Sequence, residues 1–102
     1  MNEAVFVWDE SKNLINQAKH NVSFETASRV FTDPFVLIDQ DRIENGELRW
    51  QAWGIVDGSL FLLVAFVSMD EEDEDGPVEV IRIISARKAA PRERRHYENR
   101  HE

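Results

Sequence analysis

From Phe35 onward the apolar residues of this 102-residue chain recur with the period of strands, which constrains the fold more than any other feature. Phe35–Asp39 is one predicted strand, and the polar stretch Asp41–Gly46 reads as a turn. Leu48–Val56 is a second strand, closed by Asp57-Gly58, a strong hairpin signal. Leu60–Val67 is apolar almost throughout, the pattern of a central strand covered on both faces. Met69–Gly76 is read as an acidic loop. Val78–Ser85 is the last strand, β-branched at Val78, Val80, Ile81, Ile83 and Ile84, with Arg82 inside it and Ser85, Arg87 and Lys88 after it. A strand that fixes cations at its end can hold a phosphate rigidly. The plainer reading is a buried strand whose arginines pair with carboxylates.

The first third of the chain is helical in pattern. Ala4–Trp8 forms a short strand, and Asp9 is placed to cap a helix from about Glu10 to Lys19. Leu14, Ile15 and Ala18 are its expected apolar stripe, while Lys12, Asn16 and His20 share a polar face. That face is either a solvated surface or three hydrogen-bonding groups aimed at one ligand. Asn21 suits a left-handed helix end, Ser23 caps a second helix over about Phe24–Phe31, and Thr32-Asp33-Pro34 stops it. Pro91 opens a final helix, about residues 90–100, whose large apolar group is Tyr97. The order β, α, α, four strands, α predicts one α+β domain over residues 1–102, with two N-terminal helices on one face of an antiparallel sheet of four to five strands and a C-terminal helix.

Charge is unevenly spread. The formal net charge is −8. Residues 1–76 hold 5 Lys/Arg against 16 Asp/Glu, and residues 77–102 hold 7 against 4, so a cationic C-terminal quarter follows an acidic body. Averaged over the chain, the charge argues against a nucleic-acid binder. Cysteine is absent, which removes disulfide and thiol chemistry and fits a cytoplasmic protein. No apolar run reaches ~20 residues, so no membrane span is expected. The histidines at 20, 96 and 101 lack metal-site spacing, and the acidic stretch lacks the glycine and spacing of a calcium loop, so neither metal nor cofactor is predicted.

Phe6-Val7-Trp8-Asp9, Lys12, Asn16, Lys19-His20, Val22, Phe24 and Ala27 form one ordered motif; Phe31, Asp33 and Pro34 a second; Glu47 and Arg49 a third; and Ile81–Ala89 with Glu93, Arg94 and Tyr97 a fourth. Together they resemble the BrnT family of bacterial type II toxins, over about Val5 to Glu98. The resemblance implies a RelE-like fold and a ribonuclease that restrains translation and growth. It also implies a BrnA-type antitoxin that binds the toxin directly and carries the DNA-binding part that meets their operator. The chain departs from the family pattern in four places. Asn21 stands where Gly is usual, Ala90 where Ser or Thr caps the last helix, the acidic stretch Asp70–Asp75 is long, and the whole chain is acidic.

RNA can be cut without a metal by its own 2′-hydroxyl, given a base, an acid and cations for the charge that builds on the phosphate. Arg82, Arg87 and Arg49 are the candidate cations, because a guanidinium stays charged and bonds two oxygens at once. The odd spacing of Arg82 and Arg87 sets them on opposite faces unless the strand ends or bulges near Ser85-Ala86. His20 is the candidate for proton transfer, or else a cation at its helix end. Lys12 could orient phosphate, and Glu47 could act as a base or pair with an arginine. Lys88, Lys19 and Trp53 are candidate RNA contacts, Trp53 by stacking. Tyr97, taken as exposed, and Arg94 are the candidate antitoxin surface, so truncation after Lys88 is expected to weaken antitoxin binding more than it disturbs the sheet. The acidic charge favours an alternative: a non-catalytic binding module that keeps the fold and the antitoxin interface and acts mainly in transcriptional autoregulation.

Overall fold

The computed structural model describes residues 4–99; the predicted helix end near residue 100, and His101, lie outside them. Five strands, β1 (Ala4–Val7), β2 (Leu37–Glu44), β3 (Glu47–Val56), β4 (Leu60–Asp73) and β5 (Gly76–Lys88), form one sheet in the order β1-β5-β4-β3-β2. The sheet is mixed rather than antiparallel, because β1 runs parallel to β5 while the other neighbours are antiparallel. Two hairpins turn at Asn45-Gly46 and Asp57-Gly58, where both central residues have positive φ, the geometry whose twist matches the flanking strands. The predicted turn over 41–46 is therefore mostly strand. So is the predicted acidic loop: β4 and β5 continue through it as a two-stranded arm, turning between Asp73 and Gly76.

Helices α1 (Glu10–His20) and α2 (Phe24–Ser28) and a single 3₁₀ turn, Arg29–Thr32, cover one face of the sheet. The second helix is thus shorter than its apolar pattern predicts and tightens before Pro34. Beneath this layer lies the main core, with Phe24, Ala27 and Val30 against Ala52, Leu62, Val64, Ile81, Ile83 and Ala86. Gly54 permits the approach, since a Cβ there would lie 2.9 Å from Val30 Cγ1 and 3.1 Å from the Val30 carbonyl oxygen. Helix α3 (Pro91–Asn99) packs on one end of the opposite face, where Tyr97 joins Leu37, Trp53, Phe61 and Leu63 in a second core.

Two expectations reverse here. Leu14, Ile15 and Ala18 point outward, Leu14 and Ile15 being 60% and 62% exposed, and α1 docks through Asn13 and Asn16 instead. The cause is β5. Strand β1 pairs only with Glu79–Arg82, so the next part of β5 has a bare edge, and buried backbone groups need partners. Asn16 supplies them: its Nδ2 donates to the Ala86 and Val22 carbonyls, both at 2.8 Å, and its Oδ1 accepts from the Ala86 amide at 3.2 Å. Asn13 Oδ1 likewise accepts from the Phe24 amide at 2.8 Å. The second reversal is Tyr97, which is buried at 6% exposure and donates to Asp33 Oδ2 at 2.6 Å.

Candidate active site and antitoxin surface

The strand period would put Arg82 and Arg87 on opposite faces, and a bulge prevents it. Phe66 pairs with Ile83 and Ala65 with Ser85, so Ile84 is left without a ladder partner. The one-residue insertion reverses the alternation beyond it. Arg82, Ser85 and Arg87 consequently share the register of Val67, Ala65 and Leu63, the face opposite α1 and α2. Successive rows lie two residues apart along β4, ~7 Å in an extended strand. Glu47, Arg49, Gln51 and Trp53 reach the same face from β3 through their odd positions. Lys88, in register with Leu62, faces the other way.

A second bulge closes the far side. Gln40 pairs with Trp50 and Ile43 with Leu48, so Asp41 and Arg42 together oppose Arg49. Between the two bulges lies a cleft of about 400 Å³ lined by His20, Ser85 and Arg87 on one side and Asp41, Arg42 and Gln51 on the other. Leu63, Ala65 and Ala86 form the rest of its lining. His20 arrives at the last residue of α1, which the Asn16 clamp holds against the bare edge of β5. A neighbouring cleft of about 190 Å³ shares His20 and Ser85 and adds Lys12, Lys19, Ile15 and Ile84. The structure therefore brings His20, Arg87, Lys12 and Lys19 around adjoining clefts. Arg82, Arg49 and Glu47 stand on the same face as the larger cleft but outside its lining. Asp41, Arg42 and Gln51 are not among the residues singled out from the sequence, and Ser85 stands there only as a neighbour of Arg87; alternation with Arg49 along β3 would have found Gln51, whereas Asp41, Arg42 and Ser85 depend on bulges, which leave no residue pattern.

Each candidate arginine already holds a carboxylate. Arg82 donates to Glu47 at 2.6 Å and Arg49 lies 3.4 Å from Glu44. Arg87 makes a bidentate pair with Glu93, at 2.9 and 3.1 Å, and also donates to the Lys88 carbonyl. Glu93 in turn accepts from the Ala90 amide at 2.7 Å, which serves the helix start that lacks a Ser or Thr cap. These bonds, those from Arg87 first, hold the Glu93 carboxyl down at about 2 against the burial that opposes them. The buried Trp53 indole N–H also helps depress it, although no bond of good geometry forms there.

Two further candidates change their standing. Trp53 is buried at 7% exposure and stacks edge-on with His96, with ring centroids 5.3 Å apart, so it has no free face for a base. Tyr97, taken as a partner contact, is core; burial first, then its bond to Asp33, raises its phenol to about 12. Arg94 is exposed, with its guanidinium 5.8 Å from the Phe61 ring centre. Among the described residues no group of three or more His, Cys, Asp or Glu is arranged to hold a metal ion, and no helix is long and apolar enough to cross a membrane.

The fold has a counterpart among solved structures. It resembles the 1.1 Å crystal structure of the Brucella abortus ribonuclease toxin BrnT with a TM-score of 0.59 and 23% sequence identity, covering 87% of this chain and 99% of that one. No curated protein sequence matches the chain. The family profile described as "Ribonuclease toxin, BrnT, of type II toxin-antitoxin system" matches residues 8–93. That span holds both bulges, the Asn16 clamp and every side chain lining the His20–Arg87 cleft, and the chain therefore belongs to the BrnT family of ribonuclease toxins of type II toxin–antitoxin systems.

Proposed function

We propose that the chain is an endoribonuclease of RelE-like type that cuts RNA without a metal, restrains translation and growth in the cytoplasm, and is neutralised by a BrnA-type antitoxin through which alone it meets operator DNA. The observation that carries the reading is the Ile84 bulge, which sends Ser85 and Arg87 into the cleft where α1 delivers His20. In the proposed reaction the 2′-hydroxyl attacks the adjacent phosphorus and the bond to the 5′-oxygen breaks. The 2′ proton goes to a base and the leaving oxygen takes one from an acid, giving a 2′,3′-cyclic phosphate and a 5′-hydroxyl. His20 serves proton transfer. Arg87 stabilises the phosphorane charge: of its five N–H donors, Glu93 takes two and the Lys88 carbonyl one, which leaves two for phosphate oxygens. Glu93 is a positioning residue. Lys12 and Lys19 guide the RNA strand in beside His20, and Arg82 and Arg49 continue the cationic track along the sheet, with Glu47 holding Arg82.

The ion pairing of all three arginines favours a second reading, the non-catalytic module that serves mainly in autoregulation. Incubation of the purified protein with RNA in excess chelator separates the two. The nuclease reading predicts cyclic-phosphate ends, and no cut where a 2′-deoxy residue replaces the scissile nucleotide. Intact RNA, with growth unaffected on expression, would favour the module.

A further inference from the structure

The helical layer leaves part of its own face of the sheet bare. It ends at Thr32, and past the Phe31 ring a cavity of about 150 Å³ opens across β2, β3, β4 and β5, lined by Phe31, Ile38, Trp50, Phe66 and Ile81. Ile38 is in register with Ala52 and Ile43 with Leu48, so all of these side chains face the helix side. Ile38 on its lining stays 39% exposed, and Ile43 and Leu48, paired further along the same face, stay 72% and 36% exposed, so the apolar surface continues beyond the hole. Nothing in the chain's described residues fills it.

The charged residue that lines the hole is acidic. Glu79 lines it with Ser68, whose hydroxyl donates to Glu79 Oε2 at 2.7 Å. Asp70 is the direct cross-strand partner of Glu79, and Glu72 follows on the same face of the arm. Two carboxylates set opposite each other across an antiparallel pair repel, a cost that a cation between them removes. Apolar cavity and acidic rim thus describe one complement: a side chain of leucine or isoleucine size with lysine or arginine beside it.

We propose that this surface is where the antitoxin docks, through a basic amphipathic segment that inserts one aliphatic side chain beside Phe31 and sets its cations against Asp70, Glu72 and Glu79. The inference rests on the reading of the chain as the toxin of a pair. The surface lies across the sheet from the His20–Arg87 cleft, so the segment anchors the antitoxin without entering the cleft.

Calorimetric titration of the full chain tests this with two probes: a 15-residue Lys/Leu amphipathic peptide and its Glu/Leu counterpart. The Lys/Leu peptide binds, at least tenfold more tightly than the acidic one, and the difference shrinks in high salt. Leu48→Glu, and separately the pair Asp70→Asn with Glu79→Gln, weaken it about tenfold or more. The antitoxin encoded beside the gene loses affinity for the same variants, while Leu48→Glu cuts RNA within about twofold of wild type. Equal binding of the two peptides, or unchanged antitoxin affinity in both variants, overturns the proposal. So does light scattering that finds a dimer abolished by Leu48→Glu, because the occupant would then be a second copy. Failure of the wild type to cut RNA bears on the nuclease reading and leaves the affinity comparison intact.

Discussion

Tyr97 and Asp33 illustrate what one residue does at the junction of elements. Asp33 Oδ2 accepts from the Ile55 amide at 2.8 Å and from the Tyr97 hydroxyl at 2.6 Å, tying α3, β3 and the turn before Pro34 together. Tyr97→Phe removes the second bond and is expected to cost about 1–2 kcal/mol in urea denaturation. The pH dependence has a definite sign. The folded state holds the phenol proton more tightly, about 12 against 10.0, so this part of the stability is full below pH 10.0 and is lost as pH rises through 12. Glu93 does the converse: its carboxyl titrates at about 2 rather than 4.5, so its contribution is full above 4.5 and is lost as pH falls through 2. Denaturation followed against pH should lose its alkaline slope between 10 and 12 in Tyr97→Phe and keep its acid slope. An alkaline slope unchanged by the substitution would contradict this assignment. From the sequence Tyr97 read as an exposed group on a polar helix; its depth depends on Asp33 and Phe61, far away in the chain.

At the scale of elements, the caps of α1 and α2 and the Asp57-Gly58 turn are legible in the sequence, while the strands running through 41–44 and 69–73 and the docking face of α1 are not. Asp9 and Ser23 accept from Ser11 and Thr26 amides, Asn21 ends α1 with φ 58°, and Asp57-Gly58 turns its hairpin, all from local chemistry that needs no tertiary knowledge. The stripe Leu14, Ile15, Ala18 failed because the demand of a bare strand edge for hydrogen bonds outweighed the burial of three side chains. Asn16→Ala should therefore destabilise the fold by about 3 kcal/mol, leaving three backbone groups without their partner, while Leu14→Ala stays within about 0.5 kcal/mol. Urea titration of both variants checks the contrast, and a larger loss in Leu14→Ala would reverse the account of this helix. Helix α3 shares the lesson. Since Tyr97 fills the second core, truncation after Lys88 should unfold that end of the sheet, where the polar sequence of α3 led to the expectation that antitoxin binding would suffer more than the sheet. The bulges at Ile84 and at Asp41-Arg42 leave no pattern in the residues, so a convergence that the sequence could only make conditional had to be seen in the ladders.

Across the whole molecule, charge is arranged as the sequence suggests, with a purpose that only the topology gives. The six carboxylates from Asp70 to Asp75 ride on an arm that extends the β4–β5 pair, while Lys12, Lys19, His20 and Arg87 gather at the other end of β5. A net charge of −8 repels RNA at long range, and the arm is its densest part. Replacing Asp70–Asp75 with neutral residues should lower KM for RNA several-fold at low salt and by little at high salt, where screening is complete over such distances. An equal effect at both salt levels would mean the arm acts by contact rather than by field. The Ile84 bulge puts Arg87, and not its neighbour Lys88, on the face that carries the proposed RNA cleft. Single-turnover cleavage in chelator by Arg87→Ala, Lys88→Ala and Glu93→Gln tests it most directly. Arg87→Ala is expected to lose about 10²–10³-fold, against a few-fold for Lys88→Ala and for Glu93→Gln, which breaks the same ion pair from its other end. Equal losses in Arg87→Ala and Lys88→Ala, or in Arg87→Ala and Glu93→Gln, would contradict it.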